Sequence, residues 1–197
     1  MNAHELFSSL HQAIQHFVPL TEEEFTDVKG FFKSRQLKKN EHLLQIGQVC
    51  ELYCFVVHGT LRVYYRNPKQ EPVNEFITNW LAFDSYFFTE LESYTTHQPS
   101  RFGIHATEDS QLLIIRQDDM EQLLTLSPSW QSYVRKNWEQ AFLKLTNVIV
   151  ASQSKTVEER YRELASSPMY AKRVRQKAVT TMLGTSPSAI SRIRRKK

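Results

Sequence analysis

The densest group of functional side chains lies at the end of the chain, in VTTMLGTSPSAISRIRRKK (residues 179–197). Arg192, Arg194, Arg195 and Lys196 are suited to phosphate oxygens, and a guanidinium can also read guanine through two parallel hydrogen bonds. Ser186 is placed to cap a helix, with Pro187 in its first turn, where a missing amide hydrogen costs little. Ile190 and Ile193 anchor that helix, which leaves Ser188, Ala189, Ser191, Arg192 and Arg195 facing outward. Arg192 is therefore the candidate for a base edge, and residues 194–197 for the phosphate backbone.

This is polyanion recognition, and nothing elsewhere argues for catalysis. There is no P-loop, no GxSxG, no HExxH and no paired carboxylate motif. Cys50 and Cys54 are the two cysteines, which excludes a disulfide scaffold and a four-cysteine metal site. Their even spacing would place them on one face of a strand, as buried small hydrophobes or as a redox-sensing pair. His4, His11 and His16 show no ligand pattern. No metal or cofactor is expected.

Charge is divided along the chain. From residue 164 to the end there are nine basic residues and no acidic one, leaving 16 basic against 21 acidic residues before it. A basic end behind an acidic body suggests a polyanion-binding segment. With 197 residues, 41% of them apolar, a folded core in one or two domains is expected. No window approaches the ~18 apolar residues a membrane span needs, and the start lacks a basic stretch followed by an apolar one, so a cytoplasmic protein with no membrane partner is expected.

These side chains need elements to position them. The first 34 residues read as helical: Leu6, Leu10, Ile14 and Phe17 share a face, and Thr21 to Glu24 form a capping box for a second helix through Phe25, Val28, Phe31 and Phe32. From Gln36 to about Arg116 short runs rich in β-branched and aromatic residues take over: 43–46, 52–57, 60–65, 73–77, 102–106 and 111–115. Gly47, His58-Gly59, Asn67-Pro68, Pro72 and Glu108-Asp109 separate them, as in an antiparallel barrel or sandwich. Gln117, Asp118 and Asp119 offer an N-terminal cap for a helix carrying Met120, Leu123 and Leu124. Ser127-Pro128 then starts a long helix to about Ser154.

Within that helix Val134, Trp138, Ala141, Leu145, Val148 and Ser152 alternate spacings of four and three, with Phe142 and Ile149 widening the stripe. The chain offers no second long helix to cover this seam, so pairing with a second copy is expected in preference to packing on its own β domain. Thr156 to Glu159 form another capping box, for a helix that closes near Ser167-Pro168. Next comes a helix over residues 174–183, then Gly184 in a left-handed turn, then the Arg-rich helix. That layout is a helix-turn-helix.

The order as a whole, with ELYCFVVHGTLRVYY in the β region and LGTSPSAISRIRR at the end, resembles a Crp/Fnr-type transcriptional regulator with a cyclic-nucleotide-binding-like sensor. The resemblance runs from about Leu20 to Arg195. The terminal motif is close to the LGITPESLSRIRR of a Bacteroidetes-type branch. The implied fold is α+β: an antiparallel β-roll, or double-stranded jelly-roll, with N-terminal helices over residues 1–128. A dimerisation helix over 129–154 and a helix-turn-helix unit over 155–197, lacking a full wing, complete it. The dimer interface would be Val134, Trp138, Ala141, Leu145 and Val148. The DNA-contacting set would be Ser186, Ser188, Ala189, Arg192, Arg194, Arg195 and Lys196.

The resemblance also marks departures. The family's nucleotide cassette has Gly-Glu for the ribose and, about ten residues on, Arg-Ser for the cyclic phosphate. Here Thr89-Glu90 and Ser100-Arg101 stand in their places, the latter in reversed order. A one-residue shift on a strand turns Arg101 away from the phosphate position. The effector pocket would thus hold Glu90, Ser100 and Arg101 among Tyr86, Phe87, Phe88 and Tyr94, with no cyclic nucleotide as its cofactor. Ser188 stands where the family has a base-reading Glu, and Thr180 where a small residue lets two helices approach. The implied partners are double-stranded DNA at a pseudo-palindromic operator, a second copy of the chain, RNA polymerase and an unidentified small effector. The other reading is a small-molecule sensor that acts through protein contacts.

Overall fold

The computed structural model describes residues 3–67 and 76–195. Two helices lead in, α1 (Ala3–Gln15) and α2 (Glu22–Gly30). The Thr21 amide donates to Glu24 at 2.8 Å and the Glu24 amide to Thr21 Oγ1 at 3.2 Å, closing the expected capping box. The helical stretch is shorter than expected. Lys33 and Ser34 already belong to β1 (Lys33–Leu37), because that segment pairs with a strand arriving from the far end of the sensor region.

Seven further strands follow: β2 (His42–Leu44), β3 (Leu52–His58), β4 (Leu61–Arg66), β5 (Phe76–Ala82), β6 (Phe87–Phe88), β7 (Phe102–Ala106) and β8 (Ser110–Arg116). They form two four-stranded antiparallel sheets, ordered β1-β8-β3-β6 and β2-β7-β4-β5, which is the expected double-stranded roll. Residues 73–75 of the strand read as 73–77 lie outside the described residues. Two-residue β6 was not expected; it exists because Phe87 pairs with Phe55. Cys50 is buried ahead of β3 and not in it, so only Cys54 is a strand residue.

Apolar residues fill two layers. Leu37, Leu44, Val56, Leu61, Ile104 and Leu112 fill the inside of the roll. The other face, with Tyr53, Phe55, Phe87, Leu113 and Ile115, is covered by α1, α2, α4 (Gln117–Leu126) and the first turns of α5 (Pro128–Ser154). Trp130 is fully buried there, its indole N–H donating to Met120 Sδ at 3.3 Å. Burial of such a side chain contributes about 2–3 kcal/mol. The N-cap of α4 is Arg116, whose side chain makes no capping bond. Because β8 runs directly into the helix, Asp118 and Asp119 fall inside its first turn, where their charge favours the helix dipole. Ser127 caps α5 as expected, accepting from the Trp130 amide at 3.2 Å.

Four short helices close the chain: α6 (Val157–Ser166), α7 (Pro168–Arg173), α8 (Gln176–Met182) and α9 (Pro187–Arg195). Thr156 and Glu159 form the expected capping box. Helix α7 was not expected. Val174 is its C-cap, so the helix read as 174–183 begins at Gln176 instead.

Candidate ligand cavity and nucleic-acid interface

The cassette region closes on itself. Glu90 caps α3 (Leu91–Thr96), accepting from the amides of Glu92 at 3.3 Å and Ser93 at 3.1 Å, and is almost wholly buried. Its carboxylate is thereby committed to the backbone. Ser93 in turn accepts from the Cys50 amide at 2.9 Å. A cavity of about 440 Å³ opens beside this cap, lined by Leu44, Cys50, Cys54, Phe88, Thr89, Glu90 and Ile104 among others.

Ser100 and Arg101, expected in the same pocket, are not among its lining residues. Ser100 is buried, but its backbone pairs with Gly47 and Gln48 at 2.7 and 2.8 Å, and its hydroxyl accepts from the Phe102 amide at 3.0 Å. Arg101 faces solvent, with its side chain 72% exposed, paired with Glu92 at 3.0 Å and lying over the Phe102 ring. The charged residues that line the cavity are Glu51, Glu90 and Arg116, and Arg116 already pairs with Glu51 at 2.9 Å. Two carboxylates against one engaged guanidinium make a poor site for a phosphate. Burial pushes the Cys54 thiol far above its ordinary range, which leaves it in the unreactive protonated form.

The last two helices build a different surface. Val179, Leu183 and Ile190 form a small core with Val157, Tyr161, Leu164, Val174 and Ile193 packed on it. Gly184 has φ +65°, and the turn is closed by the amide of Thr185 donating to Thr180 and that of Gly184 to Thr181, at 3.1 and 3.2 Å. Those two bonds are the paired pattern that ends a helix at a left-handed residue. Ser186 then caps α9 through the Ala189 amide at 3.2 Å, with its hydroxyl 2.9 Å from that of Ser188. Thr180 is buried and turns its hydroxyl back to the Gln176 carbonyl at 2.8 Å, so the helices pack despite its size.

Ser186, Ser188, Arg192, Arg194 and Arg195 are exposed on α9, and Ala189 is half-buried. Arg192 and Arg195 have no partner among the described residues. Arg194 approaches Gln176 at 3.5 Å. Lys196 lies outside the described residues.

The stripe on α5 divides in two. Val134 and Trp138, read as interface, pack on the chain's own sensor core, as Trp130 and Tyr133 do. Lys136 fastens the same half by donating to the Phe17 carbonyl at 2.8 Å. Beyond residue 140 the sensor core no longer covers the stripe, and Phe142, Leu145, Val148 and Ile149 stand about half or more exposed, with Ala141 also open.

One contact escaped sequence reasoning altogether. Arg173, at the end of α7, donates to Asp84 through both terminal nitrogens and to Glu108 through Nε at 2.8 Å. Asp84 also accepts from the Gly59 amide at 2.8 Å, and Glu108 from Thr60 Oγ1 at 2.6 Å. Thr181 on α8 accepts from the Thr78 amide on β5 at 3.2 Å. These bonds dock the C-terminal helices on the roll. Burial opposes the Asp84 charge, but the Arg173 and Gly59 bonds outweigh it and hold the carboxyl below its usual range.

Residues 34–126 match the family of the cyclic nucleotide-binding domain. No curated protein sequence matches the chain. Among solved structures, the fold is shared with a CooA mutant from Carboxydothermus hydrogenoformans, at 18% identity and a TM-score of 0.68, over 92% of this chain and 86% of that one. It is shared too with a putative transcriptional regulator of the Crp/Fnr family from Eubacterium rectale, at 17% identity and 0.67, over 89% and 82%. A cyclic nucleotide-binding domain from Methylobacillus flagellatus aligns at 14% identity and 0.63, over 78% and 88%. The chain thus carries a cyclic-nucleotide-binding-like roll within an overall fold shared with these solved structures. Among the described residues no helix is long and apolar enough to cross a membrane.

Proposed function

We propose that this protein is a homodimeric DNA-binding transcription regulator whose sensor no longer takes a cyclic nucleotide. The observation that carries this reading is α9: a capped helix after a closed glycine turn, with Arg192 and Arg195 exposed on its outer face and without a partner among the described residues. Arg192 would meet a base edge and Arg194 and Arg195 the phosphates. The open half of the α5 stripe supports the dimer, since Leu145, Val148 and Ile149 are more apolar than a lone surface helix needs. Two copies joined there would carry two such helices to half-sites about one helical turn, ~10 bp, apart. The Glu90 cap and the outward Arg101 support the loss of the nucleotide.

Selection from random duplexes tests the reading. Enrichment of an inverted repeat, bound with an affinity that falls ~10³-fold or more between 50 and 200 mM salt, is the expected outcome. Recovery of no repeat would favour a sensor that works through protein contacts.

A further inference from the structure

A second cavity, of about 670 Å³, lies between α1, the β5–β6 connection and α5. It is separate from the cassette cavity, with Phe88 alone common to both walls. Its volume is within the ~300–1,000 Å³ of sites that enclose small ligands. Phe17, Trp80, Tyr86, Phe87 and Tyr133 make its walls aromatic. Among the described residues Lys144 is the one Lys or Arg that lines it. Its ammonium lies 5.0 Å from the centre of the Tyr86 ring and meets no carboxylate among the described residues. Asp84, the one carboxylate on the lining among the described residues, is already held by Arg173 and Gly59.

We propose that this cavity is the effector site, and that it takes a planar aromatic carboxylic acid. The rings would stack among Phe17, Trp80 and Tyr86, where large aromatic surfaces contribute most. The carboxylate would pair with Lys144 and receive hydrogen bonds from the amides of Asn137 and Gln140 at the same rim. The effector role rests on the regulator reading above. It follows from what the walls are attached to: Asp84 holds the Arg173 clamp of the C-terminal helices, and Ala141 and Leu145 belong to the open stripe of α5. A ligand seated there touches both elements whose arrangement would set DNA affinity.

The full chain is titrated, without DNA, with 1-naphthoate and with its neutral counterpart 1-naphthalenemethanol, by calorimetry. Both are expected to bind saturably. Lys144→Met, a change on an exposed face that leaves folding intact, should weaken naphthoate about fivefold, the upper end for an exposed ion pair, and leave the alcohol unaffected. Ala13→Trp, which fills the cavity from α1, should abolish both. No saturable binding by about 1 mM would overturn the proposal, a concentration that corresponds to the weakest specific affinities. So would binding that survives Ala13→Trp in a folded protein, or a Lys144→Met effect equal for acid and alcohol. Because no DNA is present, failure here overturns the ligand site alone, whereas failure to select an operator overturns the regulator reading alone.

Discussion

Arg173 and Asp84 are joined by two parallel hydrogen bonds, Nη1 to Oδ2 at 2.9 Å and Nη2 to Oδ1 at 3.1 Å, across 89 residues of sequence. The Arg173 side chain is only 16% exposed, and Glu108 takes its remaining edge. A planar guanidinium matches two carboxylates in this way where an ammonium could not. The pair ties the basic C-terminal helices to the loop that follows β5.

Arg173→Ala should lower stability by about 1–3 kcal/mol, between the values for exposed and buried ion pairs, because two part-buried carboxylates lose their partner. Arg173→Lys should recover less than half of that. Denaturant unfolding gives the values, and a wild-type midpoint in Arg173→Ala would remove the clamp from the account.

The same pair sets an acid limb. With its carboxyl pKa lowered in the folded chain, Asp84 contributes fully above the unfolded carboxylate value of about 4. As pH falls below that, the unfolded state takes up the proton first, and the contribution is lost as pH passes the folded value. Asp84→Asn should therefore flatten the loss of stability below about pH 4 relative to the wild type. Parallel acid limbs in thermal melts would contradict this.

For the dimer, Leu145→Asp places a charge on the open stripe and should give a monomer by sedimentation, with the far-ultraviolet spectrum of the roll retained. Val134→Asp should instead unfold the sensor, because Val134 packs on the chain's own core. An unchanged dimer for Leu145→Asp would move the interface elsewhere.

On DNA, Arg192→Ala should cost about 1–3 kcal/mol on the selected operator and relax preference at one base of each half-site. Arg195→Ala should weaken operator and random duplex alike and reduce the salt slope. Equal losses on both duplexes for Arg192→Ala would make it a phosphate contact.

Calorimetry with cyclic AMP and cyclic GMP should show no binding at micromolar concentrations. The carboxylate of Glu90 is spent on the α3 amides, Arg101 points to solvent, and the cavity beside the Glu90 cap is lined by two acidic groups. Micromolar binding would require the 95–101 loop to leave its pairing with Gly47 and Gln48.

What the sequence determined by itself was local. The Thr21 and Thr156 boxes, the Ser127-Pro128 start, the Gly184 turn and the Ser186 cap each depend on partners within about five residues, and all stand where the residue types put them. The runs rich in β-branched and aromatic residues at 102–106 and 111–115 likewise marked strands. Tertiary structure decided the rest. Whether Ser100 and Arg101 face a cavity depends on the turn at Gly47 and Gln48, half the sensor away, and no periodicity within the loop carries that pairing. The stripe on α5 reads as one seam in sequence, yet the sensor core covers it only as far as Trp138, and only packing divides what is covered from what stays open. Arg173 looks like one more cation in a basic tail until the fold brings Asp84 and Glu108 to it. Short-range hydrogen bonds are written in neighbouring residue types; contacts between distant segments exist only when the whole chain has closed around them.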